Sequence, residues 1–219
     1  MTVRNYATWM FGMLKGGVCK TTSALFVAVA LQQQGRRVLL IDADPGTQGV
    51  VDWCRRWRRD YGEGSIPFAV AQWTHSRGMF STFVEERAGD GQYTHVLVDV
   101  GSEIPDVLRI GAIYSDQVIM PVSPEGAQVA RIAPTWKIVA EEGQPGAGLV
   151  ALTRVPSVGK GVAADLRRDL SDGGFTVAAA EVPRNLAVYA QFGQPITEVG
   201  AYAALADELR ARDLVRRGA

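Results

Sequence analysis

Apolar residues fall along this chain in two kinds of run. Stretches such as RVLLID and THVLVD hold three or four apolar positions without interruption. That is the pattern of a strand covered on both faces, not of one with a wet side. Such runs predict strands over Thr8–Met13, Val38–Ile41, Phe68–Ala71, His95–Val100, Gln117–Pro121, Leu149–Thr153 and Thr176–Ala180. Between them lie longer stretches with helical spacing: Lys20–Gln34, Gln48–Arg59, Gly78–Ala88, Pro105–Tyr114, Gly126–Glu142, Gly161–Ser171 and Ala201–Arg216. The first ends at Gly35 and a basic pair, as helices do. In the second, Val50, Trp53 and Trp57 keep core spacing, while Arg55, Arg56, Arg58 and Arg59 fall mostly on the other faces. Strands alternating with helices predict an α/β fold, a mostly parallel sheet covered by helices on both faces. No linker-like stretch divides residues 1–219, which read as a single domain.

Composition narrows this picture only a little. The 219 residues are 47% hydrophobic and 21% charged, with 23 basic and 23 acidic side chains. Overall charge therefore draws the chain to neither nucleic acid nor membrane, and any such contact needs a local patch. Nineteen of the basic residues are arginine and four are lysine, and two of those lysines, Lys15 and Lys20, sit within six residues of each other. Cys19 and Cys54 make no disulfide framework and lack zinc spacing, so a reducing cytoplasm is the expected compartment. No run reaches the roughly 18 apolar residues of a membrane span.

Chemistry concentrates at residues 14–22, LKGGVCKTT. A strand, a glycine turn and a helix opening at Lys20 would turn backbone N–H groups toward phosphate oxygens. Lys20 would reach the β- and γ-phosphates and the Thr21 hydroxyl would ligate Mg²⁺. Two predicted strands end in aspartates: IDADP carries Asp42 and Asp44, and LVDVGS carries Asp99. Ligands of open α/β sheets meet the carboxyl ends of strands, and Asp99 there fits the role of holding a metal-bound water. Yet the loop fails the G-x-x-x-x-G-K-[ST] pattern at both glycines, where it has Leu14 and Cys19.

Those residues resemble the ParA/MinD group of deviant Walker A ATPases, a P-loop NTPase fold, and within it the short ParA-type (ParF-like) partition proteins. KGGVCKTTSA resembles the deviant loop, VLLIDADPGTQG the aspartate switch and THVLVDVGS the Walker B strand. SDQVIMPVSPE, LVALTRV and EVPRNLAVYAQFGQPITEV follow in family order, so the resemblance spans nearly the whole chain. It implies ATP or ADP with Mg²⁺ bound by Lys15, Gly16, Gly17, Val18, Cys19, Lys20, Thr21 and Thr22, with Asp42 and Asp99 supporting the metal through water. Lys15 would reach the nucleotide of a second subunit in an ATP-sandwich homodimer, and Asp44 would orient the attacking water. The base would lie near Thr153, Arg154, Pro183 and Arg184. Leu14 is no defect, because the group requires no glycine there. Cys19 is a departure: with positive φ a non-glycine residue stores roughly 1–3 kcal/mol of strain, which would weaken binding or slow turnover.

The resemblance further implies a partner-stimulated ATPase that binds DNA non-specifically, associates with the nucleoid and moves plasmid or chromosome cargo with a ParB-like centromere-binding or adaptor protein. No helix-turn-helix domain precedes the loop, so sequence reading of DNA is not expected. The last helix offers Arg210, Arg212, Arg216 and Arg217 beside Leu205, Leu209 and Leu214. It reads as a solvated docking helix, as a DNA patch, or as a membrane-surface helix, the last poorly supported for want of bulky aromatics. The Arg55–Arg59 cluster and Arg167–Arg168 are further basic candidates. The alternative function is a nucleotide-switched positioning scaffold for a protein assembly or conjugation complex, with weak or no hydrolysis. A metabolic ligase of the superfamily would not need Lys15, and an iron–sulfur relative would need cysteines after the second aspartate strand.

Overall fold

The computed structural model describes residues 4–89, 91–102, 104–157 and 160–217, without the side chains of Lys160, Tyr189, Arg216 and Arg217. Its strands are β1 (Ala7–Phe11), β2 (Val38–Ala43), β3 (Ala69–Gln72), β4 (His95–Val100), β5 (Gln117–Val122), β6 (Gly148–Val155) and β7 (Val177–Pro183). They form one seven-stranded sheet in the order β3-β2-β4-β1-β5-β6-β7, parallel throughout. After β1 the chain passes over the place that β4 fills to reach β2. After β4 it crosses back over β1 to β5. The carboxyl ends of β1, β2 and β4 therefore surround the switch point where such sheets bind ligands.

Helices cover both faces, as the unbroken apolar strands require. On one face lie α1 (Lys20–Gln33), α2 (Gly49–Tyr61) and α9 (Tyr202–Arg217). On the other lie α3 (Phe80–Ala88), α4 (Pro105–Tyr114), α6 (Ile132–Glu142) and α7 (Lys160–Asp172). The segment SALFVAVAL of α1 is apolar on every side, and Ser23 through Leu31 are all buried. A helix of that kind has to be enclosed, and α1 is, between the sheet, α2 and α9.

The helix predicted over 126–142 is two: α5 (Gly126–Val129) and α6, with a break at Ala130 and Arg131. Pro134 explains the break. It has no N–H for the carbonyl of Ala130, so it is tolerated only in a first turn, and restarting at Ile132 places it there. The short α8 (Leu186–Ala190) was not foreseen; Asn185 caps it, its side chain accepting from Ala187 N at 3.0 Å.

A buried polar network docks α9. Asp213 accepts from the indole Nε1 of Trp9 at 2.8 Å and from the Gln117 side-chain amide, which also donates to Leu209 O at 2.8 Å. Arg212 Nε donates to Gln117 Oε1 at 3.1 Å. In low dielectric each such group needs its partner. Asp213→Ala would strand the Trp9 and Gln117 donors, and we expect a loss of about 2–3 kcal/mol, read as a lowered urea midpoint. A loss below about 0.5 kcal/mol would show that the network does not hold the helix.

Candidate phosphate-binding site

The loop between β1 and α1 closes over the carboxyl ends of the central strands. A cavity of about 400 Å³ opens there, lined by Gly16 through Thr22 together with Asp44, Thr47, Ser102 and Arg154. Lys20 begins α1 and no acidic residue stands in the helix's first turn. The first amides of α1 therefore lack intrahelical acceptors and present positive potential to the cavity. Lys20 is buried and its Nζ donates to Lys15 O at 3.2 Å. Burial holds its pKa below the ordinary lysine value, against the opposing pull of Asp99 and Asp44. Lys15 is exposed and forms no ion pair among the described residues.

The aspartates sit where the strands end. Asp42 and Asp99 are register partners on β2 and β4, and Phe11 at the end of β1 is the partner of Asp99 on its other side. Asp99 Oδ2 accepts from the Thr21 hydroxyl at 2.6 Å, while its Oδ1 is buried with no hydrogen-bond donor. Asp42 is fully buried; it accepts from Asp44 N and Val51 N, both at 3.0 Å. Burial raises the pKa of Asp42, against those amides, and pushes Asp99 up to about 8 despite the Thr21 hydroxyl. An unsatisfied carboxylate oxygen beside a hydroxyl is a donor set for a hard cation. No group of three or more His, Cys, Asp or Glu capable of holding a metal occurs among the described residues.

Asp44 is set differently. Its Oδ1 accepts from Gly46 N at 2.9 Å and Thr47 N at 3.2 Å, and its Oδ2 from the Thr47 hydroxyl at 2.6 Å. It lies over the end of β4 because residue 101 is glycine: a Cβ there would stand 2.7 Å from Asp44 Oδ1. Thr47, Gly101 and Ser102 were not anticipated from sequence. Their signal lay in the motifs that contain them, VLLIDADPGTQG for Thr47 and THVLVDVGS for Gly101 and Ser102.

Among the described residues, the non-glycine residues with positive φ are Cys19 (66°), Gln48 (49°) and Arg154 (52°). Cys19 and Arg154 line the cavity, and Gln48 immediately precedes α2 beside it. Strained backbone of this kind collects at functional sites. Arg154, expected at the base, donates from Nη1 to Gly17 O at 3.3 Å and so touches the loop itself. Thr153 beside it is fully buried. Pro183 and Arg184 are exposed, yet they join the same neighbourhood: Val155 pairs with Pro183, and Arg184 N donates to Val155 O at 2.8 Å.

The distal arginines are largely committed within the fold. Arg210 donates to Gln34 Oε1 at 3.1 Å and pairs with Asp207 at 3.7 Å, while Arg212 holds Gln117 and Gly146 O. Arg167 pairs with Glu181 at 2.8 Å and Arg168 with Asp165 at 2.9 Å. The side chains of Arg216 and Arg217 lie outside the described residues. No helix among the described residues is long and apolar enough to cross a membrane.

Residues 9–113 match the CobQ/CobB/MinD/ParA nucleotide binding domain. The chain is 33% identical over 163 residues to the maintenance of carboxysome distribution protein A of Gloeobacter kilaueensis, covering 74% of this chain and 69% of that one. It is 27% identical to the chromosome partitioning protein ParA of Caulobacter vibrioides, over 83% of each chain. Its fold matches a putative plasmid partition protein from Borrelia burgdorferi bound to AMPPNP, with a TM-score of 0.71, 15% identity, and coverage of 96% of this chain and 99% of that one.

The loop and the buried carboxylates each carry a measurable consequence for stability. A left-handed conformation costs an L-residue about 1–2 kcal/mol, and glycine gives back about 0.5–1 kcal/mol in chain entropy. Cys19→Gly should therefore stabilise the ligand-free protein by about 0.5–1 kcal/mol; a neutral or lower urea midpoint would mean the cysteine is unstrained. Asp99 keeps its proton to about pH 8 in the fold but releases it near its ordinary 3.8 when unfolded. The unfolded chain thus binds fewer protons across that window, and stability without nucleotide or metal falls as pH rises through it. In Asp99→Asn that fall should be shallower, with the rest left to Asp42, whose pKa is raised in the same sense. Urea midpoints between pH 4 and pH 8 that parallel wild type would rule this out.

Proposed function

The chain belongs to the ParA/MinD family of nucleotide-binding ATPases, and from that premise we propose that it is an ATP-dependent dimerising ATPase. In this reading it binds DNA without sequence preference and positions or segregates cargo with a DNA-binding partner protein. The observation that carries it is a cavity at which one chain gathers Lys20, Thr21 and the strand-end aspartates, beside the exposed Lys15 of the same loop. An exposed cation there is free to serve a nucleotide bound by a second copy, the purpose an arginine finger serves elsewhere.

Bound at this site, Mg²⁺·ATP brings a phosphoanhydride bond whose departing charge the metal helps neutralise. The chain does the rest. The amides at the start of α1 and the Lys20 ammonium receive the phosphates. The Thr21 hydroxyl, now donated to Asp99, would hold the metal, and Asp99 and Asp42 would support it through water. Asp44, fixed by Thr47 and the amides around it, orients the attacking water. Because Asp42 also accepts from Val51 N, and Asp44 from the turn that leads into α2, a change at the phosphates reaches α2 directly. DNA contact is assigned to the basic end of α9, Arg210, Arg212, Arg216 and Arg217, of which Arg210 and Arg212 also hold the helix to the fold.

One observation favours the scaffold reading: Cys19 holds the loop in a conformation that suits glycine, and a strained loop favours slow turnover. The relative named for carboxysome distribution makes a protein assembly a cargo to test beside DNA.

The reading turns on Lys15. Lys15→Ala should bind ATP·Mg²⁺ within about threefold of wild type, because Lys20 remains. It should stay monomeric with ATP in light scattering and lose DNA-stimulated hydrolysis by at least about tenfold, a modest share of what a cation supplied in trans contributes to phosphoryl transfer. A variant that dimerises and hydrolyses like wild type would remove the basis of the assignment. If wild type dimerises with ATP but turns over no faster with DNA present, the scaffold reading takes its place.

A further inference from the structure

The two edges of the sheet are finished differently. Along β7, Glu208 of α9 accepts from Ala179 N at 2.8 Å and Ala180 N at 2.9 Å, and Arg167 of α7 donates to the carbonyls of Ala178 and Ala179. Side chains thus occupy the backbone groups of that edge, one of the ways proteins blunt an edge strand. At the opposite edge β3 pairs with β2 alone. Trp73 N donates to Asp42 O, so in this parallel ladder Ala69 and Ala71 also point toward β2. The N–H and C=O groups of Val70 and Gln72 therefore point outward, with no strand among the described residues to receive them.

A cavity of about 460 Å³ lies against that outward edge. Val70, Ala71 and Gln72 form one wall. Arg55, Arg58 and Arg59 of α2 form the other, with Glu63 the one carboxylate among its lining residues. Arg59 grips Asp60 at two points, 2.6 and 2.9 Å, but the other two guanidiniums are held loosely: Arg55 to Asp52 is an exposed pair, and Arg58 to Glu63 spans 3.8 Å. Pairs of that kind are exchanged at little cost.

We propose that this groove docks an extended acidic segment of a partner protein, which adds to β3 as a further strand. The backbone of Val70 and Gln72 would supply the ladder, and Arg55 and Arg58 would take the partner's carboxylates in place of Asp52 and Glu63. A peptide fits this site where a nucleic acid does not, because the open edge offers alternating donors and acceptors at strand spacing. The groove also touches the switch: Val51 lines it, and its N–H holds Asp42. The inference does not depend on the nucleotide reading.

The probe is a fluorescein-labelled peptide of about ten residues alternating Asp and Val, long enough to run past a strand of ordinary length. It is titrated by anisotropy into the full chain at about 0.1 M salt, where exposed charges still act over roughly 10 Å. Saturable binding is expected, with none for the peptide that carries Lys in place of Asp. Arg55→Glu with Arg58→Glu should weaken it at least about tenfold, because each replacement removes a charge-assisted bond to the peptide. Val70→Pro should weaken it comparably, since it deletes an outward N–H while leaving the β2 ladder intact. In wild type, the Val70 and Gln72 amides should gain protection from hydrogen exchange when peptide is added, a readout that stands if Val70→Pro does not fold. Absence of binding overturns the proposal, as does an exchange pattern at those amides unchanged by peptide. Undiminished binding by a folded Val70→Pro variant overturns strand addition in favour of charge alone. A single-stranded oligonucleotide that binds where the acidic peptide does not would reassign the groove to nucleic acid.

Discussion

Two carboxylates lie side by side out of water at the ends of β2 and β4, and most of the site is arranged around them. Burying an aspartate is unfavourable unless donors replace the lost water. Asp42 receives two backbone amides, one from its own turn and one from Val51 in α2. Asp99 receives the Thr21 hydroxyl from the first turn of α1. The same bonds that make burial tolerable also fasten two helices to the sheet, so positions along α1 and α2 are tied to the state of charge between the strands. Asp99 is not fully satisfied, since its Oδ1 has no donor, and burial raises the pKa of both carboxyls. A cation and its phosphates would relieve that deficit.

Backbone strain is distributed in the same place. Glycine at residues 19 and 154 would let the chain turn there freely, yet the sequence has cysteine and arginine. At Arg154 the cost has an evident return, because the left-handed turn accompanies the contact of its guanidinium with Gly17 O. The strand end that carries Thr153 and Arg154 is thereby joined to the phosphate loop. At Cys19 the cost falls within the loop itself, and the thiol sits half-buried against the cavity. The opposite choice was made at residue 101, where any side chain would collide with Asp44.

Much of this was legible in the sequence, for reasons specific to each feature. The central strands were visible because strands covered on both faces must be continuously apolar, and β4 is bounded as expected at His95 and Val100. The loop and its aspartates were visible because their chemistry depends on local spacing. What depends on distant partners was not. Nothing near Arg210 or Arg212 in the chain indicates that their donors go to Gln34 and Gln117, residues about a hundred or more positions away. The resemblance put Arg154 near the base, and only the three-dimensional turn brings it onto the loop. The break at Ala130 was local and readable from Pro134, but the apolar pattern on both sides outweighed it.

The arginines of α2 illustrate why position decides what a charge does. By helical periodicity they are the solvated side of a helix whose Trp53 and Trp57 enter the core. The sheet order adds what periodicity lacks: β3 is terminal, so the outer side of α2 overhangs an unpaired edge instead of open solvent. The helix thus has its start bonded to a buried aspartate through Val51 and its middle beside an open strand. A rigid element between two such places is the arrangement through which occupancy of one can bias the other. In α9 the opposite outcome holds, where Arg210 and Arg212 are spent on Gln34, Asp207, Gln117 and Gly146. The same residue type therefore fixes one helix to the body of the protein and leaves the other turned toward whatever meets the edge.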